Sequence, residues 1–187
     1  MSELALVASL FGPLFVGLIF HGLCIKFGWL NSLAVPIDRR VLFRGRPLFG
    51  ANKTYRGVLA VALGAAVGYG LQSLAPELQP PVFRPLSTFG VAALGFTLGV
   101  AAMLSELLNS FVKRQLDIAP GSPGRGPATV FFYLFDQVDF LLGAWLVVWP
   151  WVVPTLPRVL WSILFVLVVH QVISGLGALL GMRVSAR

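Results

Sequence analysis

Asp136 and Asp139, in the stretch FDQVDF, stand three residues apart where a long apolar run begins. A carboxylate is expensive beside hydrocarbon, and in that setting it normally faces a partner, a cavity or an ion. On a helix the i, i+3 spacing projects both from one face, about a turn apart. A purely structural role is also open, with Asp136 as an N-cap and Asp139 complementing the helix dipole. A third carboxylate, Glu106, lies in SELLNSFVKRQLD, residues 105–117. If that stretch is helical, Glu106, Asn109 and Lys113 share a face at i, i+3 and i+7. Glu106 then sits roughly 10 Å below the end of its span, at 1.5 Å per residue. It either pairs with Lys113 or an arginine, or serves a ligand.

Cations complete the set. The segment RGRPLFGANKTYRG, residues 44–57, carries Arg44, Arg46, Lys53 and Arg56 among Gly45, Gly50, Asn52 and Thr54. Glycines let backbone amides approach a ligand, and Lys or Arg neutralises phosphate oxygens. The spacing is not that of a P-loop, and read alone the segment serves equally as a topology signal. Carboxylates at two helix ends, on the same side as these cations, match a divalent-metal and polyphosphate site. Carboxylates bind Mg²⁺ and cations hold phosphates in phosphoryl transfer.

The elements that must position these groups follow from composition. Of 187 residues, 57% are hydrophobic and 11% charged, against about a quarter charged in soluble domains. The chain is therefore expected to be all-α and polytopic, a single integral-membrane domain over 1–187. Five spans are predicted, at about 5–25, 57–75, 89–112, 138–153 and 157–181. The fourth is the shortest, cut by Pro150 and Pro154. The opening MSELAL has no Lys or Arg, unlike a secretory n-region, so the first span is read as retained. Connections at about 26–56 and 113–137 are predicted as cytoplasmic loops. Twelve of the fourteen basic residues fall on their side, with only Arg84 and Arg158 opposite. The positive-inside rule then places the N-terminus outside and the C-terminus in the cytoplasm. The expected location is the cell inner (plasma) membrane, with the polar motifs on its cytoplasmic face.

Other features bound the function. No internal repeat suggests a duplicated transporter, and nothing resembles a nucleic-acid module, so no nucleic-acid partner is expected. The single cysteine, Cys24, excludes an intramolecular disulfide and a thiolate zinc cluster. Glycine pairs at Gly64/Gly68, Gly95/Gly99 and Gly177/Gly181 predict close helix packing. His21 and His170 are isolated and read as hydrogen-bonded helix residues.

SFVKRQLDI followed by DQVDFLLG resembles the Ser-x-x-Lys-Arg and Asp-x-x-Asp signature of CTP-dependent lipid cytidylyltransferases. With PID, GRPLFGANKTYRG and five predicted spans, the chain looks most like the CDP-archaeol synthase family, more distantly like CDP-diacylglycerol synthases. The resemblance implies transfer of CMP from CTP to a lipid phosphate embedded in the bilayer, releasing pyrophosphate, with Mg²⁺ as cofactor. It implies Asp136, Asp139 and Glu106 as metal ligands, with Asp136, Asp139 and Lys113 catalytic. Asn52, Lys53, Thr54, Arg56, Ser110, Lys113 and Arg114 would bind nucleotide or lipid phosphate. The chain departs from the family pattern at Ser105-Glu106, where Gly-Asp is usual, at Asn109, where glycine is common, and at Ala51-Asn52, where Asp-Gly is frequent. The acceptor, ether or acyl, stays open, as does the oligomeric state. The competing reading is a small transporter or anionic-lipid-binding scaffold, for which substrate flux without nucleotide chemistry would be the sign.

Overall fold

A computed structural model describes residues 1–119 and 128–179. Seven α-helices are found among them: α1 Glu3–Phe11, α2 Leu14–Phe27, α3 Tyr55–Gln72, α4 Thr88–Gln115, α5 Ala128–Val138, α6 Phe140–Val148 and α7 Leu156–Leu179. The only sheet among the described residues is a hairpin of β1 Leu42–Phe43 and β2 Arg46–Pro47. Hydroxyl side chains set three of the helix starts. Ser2, Thr54 and Ser87 accept hydrogen bonds from the amides of Ala5, Gly57 and Gly90 at 3.2, 3.2 and 3.1 Å, satisfying donors that a helix N-terminus leaves free.

Among the described residues, four segments are long and apolar enough to cross a membrane: Glu3–Phe27, Thr88–Gln115, Thr129–Val148 and Leu156–Leu179. The first was expected as one unbroken helix and is divided at Gly12–Pro13, because proline offers no amide to continue the ladder. The expected second span corresponds to α3, whose 18 residues are rich in glycine and alanine and which lies between α2 and α4. The fourth differs most. The stretch 113–137, expected as a loop, is helical through Gln115 and again from Ala128, and the apolar segment runs 129–148 instead of 138–153. Asp136, Gln137 and Asp139 made the run look as if it began later. In the fold these polar groups have protein partners on α4 and α7. Gly181, Arg125, Arg183 and Arg187, part of the glycine and charge patterns, lie outside the described residues.

α3 packs on α2 and α4, α6 on α4, α1 on α7 and α7 on α5. The core joins both ends of this ring: Phe11 meets Trp145 edge-on at 5.1 Å, and Phe15 meets Phe140 at 6.0 Å and Phe165 at 6.2 Å. Only 11% of the apolar window of α7 is buried, against 50% for α4. An apolar face of that extent requires lipid or another apolar cover. Here α4 is the central helix and α7 the peripheral one.

The predicted glycine packing is present. A Cβ on Gly99 would lie 2.6 Å from Cα of Ala62, one on Gly64 would lie 2.7 Å from Cα of Gly17, and one on Gly95 would meet Tyr69 at 2.7 Å. At Gly99 and Gly64 backbone is in contact with backbone, so no side chain can yield. Gly99→Leu is therefore expected to lower the thermal unfolding temperature of the full chain in detergent, by at least the ~1–3 kcal/mol typical of overpacking. Gly175 has nothing within 4 Å of its Cβ position, and Gly175→Ala should be neutral or stabilising by about 0.5–1 kcal/mol. Equal losses in both variants would refute close approach as the cause.

Candidate active site

α4 supplies the floor of the site. Glu106, Asn109, Ser110, Lys113 and Arg114 line one cleft of about 330 Å³ with Asp136 and Asp139 from the α5–α6 junction, Asn52, Lys53 and Phe49 from the loop before α3, and His170 from α7. The i, i+3, i+7 face expected from the sequence is the face found.

Within the cleft the charges are paired by geometry. Lys113 Nζ donates to Asp136 Oδ2 at 2.7 Å and lies 5.8 Å from the centroid of the Phe132 ring. Asn109 Nδ2 donates to both aspartates, to Asp136 Oδ1 at 2.8 Å and to Asp139 Oδ2 at 2.7 Å. Lys53 Nζ donates to Glu106 Oε2 at 2.6 Å. Glu106, expected as a third metal ligand, is thus turned to the loop lysine. Burial disfavours the charge on Lys53, but the Glu106 carboxylate, with Asp139 and Asp136 behind it, holds the ammonium above its ordinary range. Asp139 stands at the N-cap position of α6 but makes no capping hydrogen bond. The N-cap alternative for Asp136 is not realised, since that residue lies inside α5, whereas Asp139 does stand at the start of α6, where a carboxylate complements the helix dipole.

Some polar atoms in the cleft have no hydrogen-bond partner among the described residues. They are Asp139 Oδ1, Asn109 Oδ1, and Arg114 Nε and Nη1, all buried. No three His, Cys, Asp or Glu side chains among the described residues converge as a ready metal cluster. Two buried oxygens without partners, one carboxylate and one amide, are nevertheless the hard donors that Mg²⁺ takes alongside water and phosphate. The donor set fits a magnesium ion. The Arg114 donors suit a phosphate oxygen.

The loop is held from below by a residue that the chemistry-first reading did not single out. The buried Asp38 carboxylate accepts hydrogen bonds from the amides of Arg40, Phe49 and Gly50 at 3.0, 3.0 and 2.9 Å. Pairing of Pro36 with Thr54, and the Ile37 amide bond to Lys53 O at 2.8 Å, fix the start of the loop against its end. Arg44 and Gly45 both have positive φ, 53° and 78°, the geometry of a tight I′-like hairpin turn. Arg46 closes the loop onto the end of α4 through Asp117 and the Gln115 carbonyl.

Eight expected residues line the cleft: Asn52, Lys53, Glu106, Ser110, Lys113, Arg114, Asp136 and Asp139. Two do not. Thr54 is the N-cap of α3, and Arg56 reaches Asn31 at 3.3 Å on the other face of that helix start. Phe49, Asn109 and His170 were not expected as lining. Asn109 was visible in the sequence through its shared face with Glu106 and Lys113. No local signal could place His170, which contacts Ser174 at 3.4 Å, beside residues of α4.

Fold and cleft together define a polytopic, all-helical membrane protein with a charged site enclosed between its helices. A solved structure described as "Structural insight into an intramembrane enzyme for archaeal membrane lipids biosynthesis" shares the fold, with a TM-score of 0.65, 24% identity, and coverage of 89% of this chain and 91% of that one. The family model "CarS-like: CDP-archaeol synthase" matches residues 18–185, and the chain belongs to that family. A CDP-archaeol synthase of Thermococcus onnurineus is 36% identical over 111 residues, 58% of this chain and 57% of that one. One of Pyrobaculum arsenaticum is 38% identical over 104 residues, 55% and 51%. One of Methanoculleus marisnigri is 31% identical over 156 residues, 79% and 87%. The matched stretch spans about half the length of the first two relatives.

Burial works against ionisation of Asp38, but its three backbone donors win and hold the carboxyl below its ordinary value of 3.8. Its contribution to stability is then fully present above that value and is lost as pH falls through the lower folded one. Unfolding temperatures of wild type and Asp38→Ala should accordingly differ at neutral pH and converge in acid. A difference that persists unchanged into acid would show that the ionised carboxylate is not what holds the loop.

Proposed function

We propose that the chain is a Mg²⁺-dependent cytidylyltransferase, moving CMP from CTP to a membrane lipid phosphate to give a CDP-lipid and pyrophosphate. The observation that carries this reading is the meeting of two surfaces at Asn109 and Asp139. Both residues line the charged cleft and also an apolar groove of about 310 Å³ bounded by Leu108, Val112, Phe131, Phe135 and Leu142. A lipid phosphate needs both surfaces, hydrocarbon along the groove and headgroup in the cleft. Membership of the CDP-archaeol synthase family supports the same chemistry, and the relatives' names favour an archaeal-type ether lipid phosphate over phosphatidic acid as acceptor.

Charge balance supports the cofactor. Lys53, Lys113 and Arg114 are matched by Glu106, Asp136 and Asp139, so the cleft alone has little surplus charge for a triphosphate. Asp136 and Asp139 would hold a magnesium ion, which when bound would supply neutralisation of charge on the phosphates. Lys113, fixed by Asp136, and Arg114, with its free donors, bind phosphate oxygens and keep them oriented. Lys53 and Asn52 close the cleft from the loop, with Ser110 beneath, and Glu106 keeps Lys53 in place. In the reaction an oxygen of the lipid phosphate forms a bond to the α-phosphorus of CTP while the bond from that phosphorus to the bridging oxygen breaks. The electron pair leaves with pyrophosphate. The attacking oxygen is already anionic, so the residues need to position reactants and neutralise charge, with no nucleophile of their own.

The five-span arrangement, N-terminus outside and C-terminus cytoplasmic, is proposed with it. α3 counts as a span despite its lower apolarity because α2 and α4 cover it on both sides. The exposed Arg39, Arg40 and Arg44 of the loop suit the anionic cytoplasmic leaflet of the plasma membrane, where CTP is available.

With α-labelled CTP, Mg²⁺ and purified protein, label is expected in the lipid phase with an archaeal ether lipid phosphate, and less with phosphatidic acid. EDTA should abolish it, and Asp139→Asn should reduce it by about a hundredfold or more, the scale of losing one electrostatic group at a reacting centre. Absence of label with both acceptors, while a family member works alongside, would overturn the proposal.

A further inference from the structure

Asn109 occupies the centre of the charged cleft, yet it is neither charged nor part of either quoted signature. Its single amide nitrogen lies 2.8 Å from Asp136 Oδ1 and 2.7 Å from Asp139 Oδ2. Both are bonds to carboxylate oxygens, which fixes the amide orientation, since the flipped form would set an oxygen against two anions. The carbonyl oxygen is thereby aimed away from both bonds. It is buried, on a residue only 6% exposed, and has no hydrogen-bond partner among the described residues. Asp139 Oδ1 shares that condition on a residue equally buried. Leaving such buried atoms unsatisfied is costly, and a bound cation removes that cost.

Resting on the magnesium-dependent reading above, we infer that Asn109 is a cation ligand of this chain: its Oδ1 joins Asp139 Oδ1 as a neutral oxygen donor, while its Nδ2 holds the two aspartates at one spacing. The two functions of the side chain are separable by substitution. Asn109→Asp keeps an oxygen and loses the donor. Asn109→Ala loses both.

The test is binding of Mn²⁺, a spectroscopically visible surrogate for Mg²⁺, to the full chain in detergent without nucleotide. It is followed by the electron paramagnetic resonance of free Mn²⁺, with the unfolding temperature recorded in parallel, with and without the ion. Wild type is expected to bind and to be stabilised by Mn²⁺. Asn109→Ala should weaken binding about tenfold or more, the effect expected for a residue that ligates or orients ligands, and should lose most of the Mn²⁺-induced stabilisation. Asn109→Asp should unfold at lower temperature without the ion, because a third carboxylate replaces the bridging donor, and should regain stability when Mn²⁺ is added. A merely structural role predicts equal losses with and without the ion in both variants, and that result would overturn the inference. So would Asn109→Ala binding Mn²⁺ with the wild-type affinity. Failure of the wider functional reading has a different signature, in which wild type binds Mn²⁺ through Asn109 but transfers no CMP to lipid.

Discussion

Ionised groups enclosed among apolar helices must be neutralised where they stand. Three basic and three acidic side chains line one cleft, and two ion pairs and the Asn109 amide fix the positions of five of them. Removing one member of such a pair leaves the other uncompensated, at a cost that falls with the solvent that reaches it. Lys113 is therefore fixed by Asp136, Lys53 by Glu106, and Asp136 and Asp139 are held together through Asn109. The pairs that make the cleft tolerable in the membrane also preorganise it. In the proposed reaction, phosphates and a divalent cation would meet groups already oriented, which is the condition for electrostatic catalysis without reorganisation.

That arrangement places demands on the scaffold. Three of its contributors sit on α4, one pair at the α5–α6 junction and one, Lys53, on a loop 53 residues before its partner Glu106. Glycine contacts between α2, α3 and α4 bring the backbones within van der Waals distance, so the loop before α3 and the polar face of α4 have a fixed separation. Asp38 and Arg46 then fold the loop down on the end of α4. A loop built only for topology would need arginines, but not a buried carboxylate bonded to three of its amides. The apolar groove beside Asp139 has the complementary logic, since a cleft walled on every side by protein would admit a nucleotide but no lipid.

Departures from the family pattern acquire a physical sense in this setting. Glu106, where the family usually has an aspartate, is long enough to meet Lys53 across the cleft. Asn109, where glycine is common, fills the space between two carboxylates with a donor. Ser105 turns its hydroxyl back to the Ala101 carbonyl at 3.2 Å, an internal helix bond that leaves the charged cleft unaffected. Among the departures, Glu106 and Asn109 reach the paired charges of the site, and both supply compensation for charge. They belong together as one solution to the same electrostatic constraint.

Composition alone required helices in lipid, because 57% hydrophobic and 11% charged residues leave no other way to cover so much apolar surface. Spacing alone put Glu106, Asn109 and Lys113 on one face, since 3.6 residues per turn is a local property. Glycine pairs announced close packing for the same reason. What lay beyond the sequence was which charge neutralises which. Lys53 and Glu106 are 53 residues apart, and Asn109 and Asp139 are 30 apart, so their pairing exists only once the helices are assembled. The extent of α5 was hidden similarly: its polar residues read as a loop until α4 and α7 provided partners that make them tolerable inside the fold. Thr54 and Arg56, which the family resemblance implied in the site, lie off the cleft, because the turn into α3 sends one to a cap and the other to Asn31. Local periodicity is fixed by backbone geometry, but the compensation of a buried charge is a long-range choice, and only the tertiary structure makes it.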